Sequence, residues 1–163
     1  MNDICTAVSD NINLFADDTS LYVTDQSAAL LPDTLQRAID GVSTWFSTWL
    51  LSVNTLKSAV MVLRSAKMPP VPLDVSIDGQ MLPQVSTLHH LGLVVDENLT
   101  WSAHVQSVTA KVSQRLGLLW RLRNRLSGLV LRELYTTCIR PVIEHSSVVW
   151  SSISSTDSEV RAA

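Results

Sequence analysis

The apolar residues of this chain change period near residue 100, and that change limits the fold more than any other feature of its 163 residues. From Trp101 onward, Trp101, Val105, Val108, Val112, Leu116, Leu119, Leu122 and Leu126 recur at spacings of three and four, which predicts one helix of about seven turns. A second helix is expected over residues 129–138, and "RPVIEHSSVVW" resumes helical character behind Pro141. Before residue 100, short apolar runs broken by turn residues, as in strands and hairpins, surround one helical stripe. The pattern is that of an α+β chain. The spacing divides it into residues 1–98, residues 99–150 and a serine-rich tail, "SSISSTDSEVRAA", expected to be disordered.

Within the first part, residues 12–16 ("INLFA") and 19–23 ("TSLYV") are β-prone and only two residues apart, which predicts a hairpin with Asp17 and Asp18 at its tip. Leu31, Leu35, Ile39, Val42, Phe46 and Trp49 mark an amphipathic helix. Pro32 suits its first turn, and Asp33 complements the positive end of its dipole. Residues 56–65 ("LKSAVMVLRS") are compact enough for a buried strand, and "MPPVP" then breaks the chain. Leu73, Val75 and Ile77 alternate into Asp78-Gly79, a hairpin signal returning through Met81 and Leu82. Residues 86–96 ("STLHHLGLVVD") read as one further strand, with Gly92 permitting close backbone approach.

Hydrophobic residues make up 46% of the chain, enough for a core. The first ten residues lack a basic region followed by an apolar one, and no run approaches the roughly 18 apolar residues of a membrane span, so neither export nor membrane insertion is expected. Cys5 and Cys138 are far apart and outside metal-ligand spacing, and reduced thiols are the expectation. The net charge of −3 hides a polarity. Residues 1–40 hold seven acids against Arg37 alone, whereas residues 111–140 hold seven bases against Glu133 alone. Such a chain suits cations at one end and a polyanion at the other, or two halves that attract each other.

Adjacent carboxylates repel unless a turn solvates them or a cation neutralises them. At a hairpin tip, Asp17 and Asp18 can hold Mg²⁺ or Mn²⁺, hard ions that prefer oxygen. Taken alone, a solvated turn is the simpler reading. Lys111, Arg115, Arg121 and Arg125 fall on one flank of the long helical stripe, fit either for phosphates or for a solvated face, while Arg123 falls inside the apolar arc. His89, His90, His104 and His145 have no ligand spacing and read as structural. Core packing is expected for the tryptophans at positions 45, 49, 101, 120 and 150, rather than base stacking.

Four segments in order, "FADDTSLYV", "WFSTWLLSVNTLKSAVMVL", "LHHLGLVVDENLTWSAHV" and "YTTCIRPVIEHSSVVW", resemble the reverse transcriptase of non-LTR (LINE-type) retrotransposons over about residues 2–150. Asn2-Asp3-Ile4 is similar to the segment just ahead of that family's aspartate pair. The resemblance implies a partial palm of antiparallel hairpins with a packed helix over residues 1–98 and a helical thumb over residues 99–150. It implies that Asp17 and Asp18 are catalytic and bind a two-metal Mg²⁺ (or Mn²⁺) site, that Lys57 protonates departing pyrophosphate, and that Leu91 and Gly92 lie in the primer-grip-like turn. Lys111, Arg115, Arg121 and Arg125 become the nucleic-acid contacts of the thumb. The implied partners are an RNA template, a DNA primer and deoxynucleoside triphosphates, in the nucleus or cytoplasm and away from membranes.

Fingers, a further metal-binding aspartate and the nucleotide-selecting segment would lie upstream of Met1. The chain is therefore expected to be inactive alone, to expose an unpaired hairpin edge, and to rely on the missing segment or a protein partner. The alternatives are a non-catalytic nucleic-acid-binding remnant and a structural fragment of a decayed element.

Overall fold

The computed structural model describes Ile4 and residues 11–150. The expectations for Asn2, Asp3, Cys5 and the tail 151–163 lie outside the described residues. The chain forms two compact units, one running up to Val62 and including Ala66–Ser86, the other made of Leu63–Ser65 and everything from Thr87 onward. The architecture is α+β, with short antiparallel hairpins and helices.

In the first unit, β1 (Asn11–Phe15) pairs with β2 (Asp18–Tyr22), Ile12 opposite Leu21 and Phe15 opposite Asp18. The hairpin stands where the sequence puts it, but its loop is Ala16-Asp17 and not Asp17-Asp18. Ala16 takes the positive φ (53°) of the reversal, and Asp18 opens the second strand. The apolar pair Ile12 and Leu21 sets this register, because both side chains pack toward Val42 and Trp45 of the following helix. That helix, α1 (Leu31–Thr48), has Pro32 and Asp33 in its first turn. It buries Leu35, Ala38, Ile39, Val42 and Trp45, the one-sided stripe its spacing predicts.

Residues 56–65 do not form the expected strand. Thr55–Lys57 is a single 3-10 turn, and beyond it the chain is extended with one isolated parallel bridge, Val60 to Gln84. The Val60 N–H donates to the Pro83 carbonyl (3.0 Å) and its carbonyl accepts from Val85 N–H (2.9 Å). Toward Ser58 the ladder cannot extend, because the next donor would be the N–H that Pro83 lacks. The Asp78-Gly79 hairpin does form, β3 (Ser76–Ile77) with β4 (Gln80–Met81), both loop residues at positive φ (50° and 76°).

Two glutamine amides complete these short sheets. Gln36 accepts from the Ser76 N–H and donates to its carbonyl, and Gln84 accepts from Leu73 N–H and donates to the Val71 carbonyl. Each side chain thereby supplies the donor and acceptor that a neighbouring strand would have offered. Leu35, Ile39, Val60, Leu73, Val75 and Leu82 form the core beneath.

In the second unit, residues 86–96 make a hairpin instead of one strand. β5 (Thr87–His90) pairs with β6 (Leu93–Asp96) around Leu91-Gly92, at φ 47° and 84°. Only glycine tolerates the second position easily, and a β-carbon there would also stand 2.8 Å from His145 Nε2. The long helix, α2 (Ser102–Leu122), stops a turn earlier than its stripe. It is followed by α3 (Gly128–Leu134), whose first turn is capped by Ser127, then a π turn (Tyr135–Ile139), α4 (Arg140–Glu144) and α5 (Ser147–Trp150). Pro141 lacks an N–H and crowds the preceding turn, and the wider π turn before it keeps the helix from breaking. Arg115 reaches from α2 to the Cys138 carbonyl in that π turn.

The tryptophans divide. Trp45 and Trp150 are buried and Trp101 is half-buried, but Trp49 and Trp120 are 57% and 68% exposed, against the expectation of core packing. Trp49 caps the end of α1, past the buried part of its stripe, and Trp120, in the last turn of α2, lies off the stripe on which Leu119 and Leu122 remain half-buried.

Candidate functional site

The aspartate pair sits on an exposed hairpin end. Asp17 lies in the loop, and Asp18 begins β2 opposite Phe15, which is 65% exposed. Cross-strand partners share a face, and residues two apart along a strand do too, so Asp18 shares the outer face with Phe15 and Ser20, while Ile12 and Leu21 face the core. Two acidic groups already in solvent can meet a hard cation without first being uncovered, although the ion must shed water to bind them. Among the described residues no group of three or more His, Cys, Asp or Glu side chains is placed to hold a metal ion. Mg²⁺ requires six oxygens near 2.0–2.1 Å, more than two neighbouring carboxylates alone can supply.

Lys57 closes the 3-10 turn, exposed, its N–H bonded to the Asn54 carbonyl. Among the described residues no hydrogen bond or ion pair joins Lys57 to Asp17 or Asp18. Leu91 and Gly92 are at the tip of the β5–β6 hairpin, where the Leu91 carbonyl stands 3.2 Å from His145 Nε2. Lys111, Arg115, Arg121 and Arg125 are exposed in the second unit. Arg115 is committed to the Cys138 carbonyl, and Arg121 turns back to Gly117 of its own helix.

The motif "VVDENLTWSAH" proves to organise the second unit. Asp96 accepts from the N–H groups of Asn98, Thr100 and Trp101 (2.9–3.1 Å) and from the Thr100 hydroxyl, which fixes the turn into α2 and holds Trp101 at φ 63°. Burial pushes the Asp96 carboxyl up, but these hydrogen bonds to Thr100, Trp101 and Asn98 outweigh it and hold the group below its ordinary range. Glu97 pairs with Arg64 at 2.8 Å in a partly buried bridge, and Asn98 donates to the Arg64 carbonyl. The spacing Asp-x-Asn-x-Thr is the available sequence signal for such a turn.

His104, 3% exposed, accepts from the Val94 N–H through Nδ1 (3.2 Å), between Trp101 and Trp150. Nδ1 as acceptor leaves the ring proton on Nε2, which is buried without a partner. Burial, then the charges of His145 and Lys111, push its pKa below 6.5. A base held neutral by the fold contributes fully above its unfolded pKa of 6.5, and its contribution declines as pH falls below that value toward the folded pKa. Melting temperature should therefore drop as pH falls below 6.5, and His104→Gln should flatten that decline. A wild-type profile level across this window would contradict the assignment.

Comparison with known proteins finds the chain similar to RNA-directed DNA polymerases of mobile elements. It is 27% identical over 139 residues (83% of this chain, 15% of the relative) to the probable RNA-directed DNA polymerase from transposon BS of Drosophila melanogaster. It is 26% identical over 145 residues (85% and 15%) to the RNA-directed DNA polymerase from mobile element jockey of the same species. It is also 26% identical over 143 residues (85% and 14%) to the putative 115 kDa protein in its type-1 retrotransposable element R1DM. The chain thus spans about 15% of the length of the curated relatives it matches. No family model matches it, and no solved structure does. No helix among the described residues is long and apolar enough to cross a membrane.

Proposed function

We infer that this chain is the aspartate-pair portion of the palm, residues 1–98, together with the thumb, residues 99–150, of a retrotransposon RNA-directed DNA polymerase. The observation that carries this reading is an exposed Asp17-Asp18 hairpin end in a chain similar over more than four-fifths of its length to such polymerases. Asp17 and Asp18 would hold Mg²⁺ or Mn²⁺, which when bound supplies charge stabilisation at a phosphoryl group. Lys57 would offer a proton and positive charge to a leaving pyrophosphate. Leu91 and Gly92 present a rigid turn to a primer end, and Lys111, Arg121 and Arg125 give the template–primer a cationic surface whose affinity falls as salt rises.

The decisive experiment substitutes this chain for the matching segment of the jockey polymerase and follows primer extension on an RNA template with deoxynucleoside triphosphates. The chimaera should extend, and Asp17→Asn should reduce extension by about three orders of magnitude or more, the scale of losing a metal ligand at the reacting phosphate. A folded chimaera whose extension is indifferent to Asp17→Asn would refute the reading. The exposed Lys111, Arg121 and Arg125 also favour a second reading, a nucleic-acid-binding segment without catalysis. That reading predicts salt-dependent binding of primer–template by this chain and an inactive chimaera.

A further inference from the structure

Residues 120–125, Trp-Arg-Leu-Arg-Asn-Arg, end α2 and form the turn after it. Trp120 leaves 68% of its surface in water, although burying an indole is among the largest apolar gains available to a side chain. The Arg123 guanidinium carbon lies 3.5 Å from the Trp120 ring centroid, a stacked contact that fixes the ring plane and leaves most of the indole open. Arg121 and Arg125 are exposed beside it, and no acid occurs between Lys111 and Glu133. An open π surface bordered by guanidinium groups matches an unpaired base on a phosphate chain. A duplex hides its base faces in the stack, whereas every base of a single strand offers one, with a phosphate beside it.

From this we propose that Trp120 is a stacking platform for one base of a single-stranded nucleic acid, with Arg123 holding the ring and Arg121 and Arg125 meeting the adjoining phosphates. The assignment rests on the nucleic-acid reading above and adds to it a residue and a strand state.

The test measures affinity of the full chain for a short single-stranded RNA, the same RNA made abasic, and an RNA·DNA duplex, each across a salt series. Trp120→Ala should weaken single-strand binding about tenfold without altering its salt slope, since stacking is lost and no charge is removed. Trp120→Phe should restore most of it. Arg121→Gln should instead reduce the slope by about 0.7, one single-strand phosphate contact. The abasic strand should bind the wild type as weakly as the intact strand binds Trp120→Ala, and duplex affinity should be unchanged. Single-strand affinity of Trp120→Ala within twofold of wild type, or an equal loss on duplex and abasic strand, would overturn the platform while leaving nucleic-acid binding intact. Absence of salt-dependent binding to every probe would overturn both, and would turn the exposed indole toward a protein surface. Trp120 is exposed, so matching melting curves verify that the variants fold.

Discussion

Asp96→Ala should destabilise the second unit by about 2–4 kcal/mol, far more than a half-buried surface acid ordinarily contributes. One carboxylate there accepts four hydrogen bonds, three from backbone N–H groups that have no other acceptor in the turn between β6 and α2. Removing it also takes away the bond that helps hold Trp101 at a left-handed φ of 63°. Urea melts of the wild type and variant read the loss directly, and Asp96→Asn, with one oxygen acceptor left, should fall between them. Because the folded carboxyl is held below its ordinary 3.8, this stabilisation is complete above that pH and is lost as pH falls through the folded value. The alanine variant should therefore lack this acid-limb decline. A cost under 0.5 kcal/mol would show that the network is incidental.

Trp150→Ala should cost about 3–5 kcal/mol, the range for deleting a buried aromatic. Trp150 is 5% exposed against Leu93 and Val105, stacks edge-on to His104 at 5.6 Å, and donates its indole N–H to the His145 carbonyl (3.1 Å). Trp150→Phe keeps most of the packing and forfeits the hydrogen bond, so it should recover most of the loss. The alanine variant also hydrates His104, which should bring that imidazole back toward 6.5 and weaken the low-pH decline of the variant. Two independent readings, a melting shift and a changed pH slope, must move together if Trp150 shields the ring.

What the sequence disclosed followed the strength of local signals. Leu35, Ile39 and Val42 repeat over many turns, and Asp78-Gly79 supplies the two positive φ angles its loop needs, so α1 and the β3–β4 hairpin were legible. Residues 86–96 concealed a reversal because its first loop residue is Leu91, which carries no turn signal beside Gly92. The run 56–65 looked like a strand on composition, yet strand pairing depends on a partner backbone, and Pro83 stops that partner from answering. The aspartate pair was visible by position, while its one-residue offset within the hairpin came from the apolar pairing of Ile12 with Leu21, a tertiary effect. Asp96 and His104 went unrecognised as organisers, since their roles depend on which backbone N–H groups the turn turns inward. Trp120 departs from the core-packing expectation because it lies off the stripe: Leu119 and Leu122 stay half-buried while the indole between them faces solvent.

The strip Leu63–Ser65 belongs with residues after Thr87, although the chain on both sides of it, up to Val62 and over Ala66–Ser86, belongs to the first unit. Arg64 makes its backbone and side-chain bonds to Glu97 and Asn98. No single cleavage or recombination point therefore yields both halves whole: a piece starting at Thr87 forfeits three residues and the Arg64 bridge, and a piece ending at Ser86 carries them away without their partners. Modular exchange of the helical half among related elements would have to bring that tripeptide along or evolve a replacement for it.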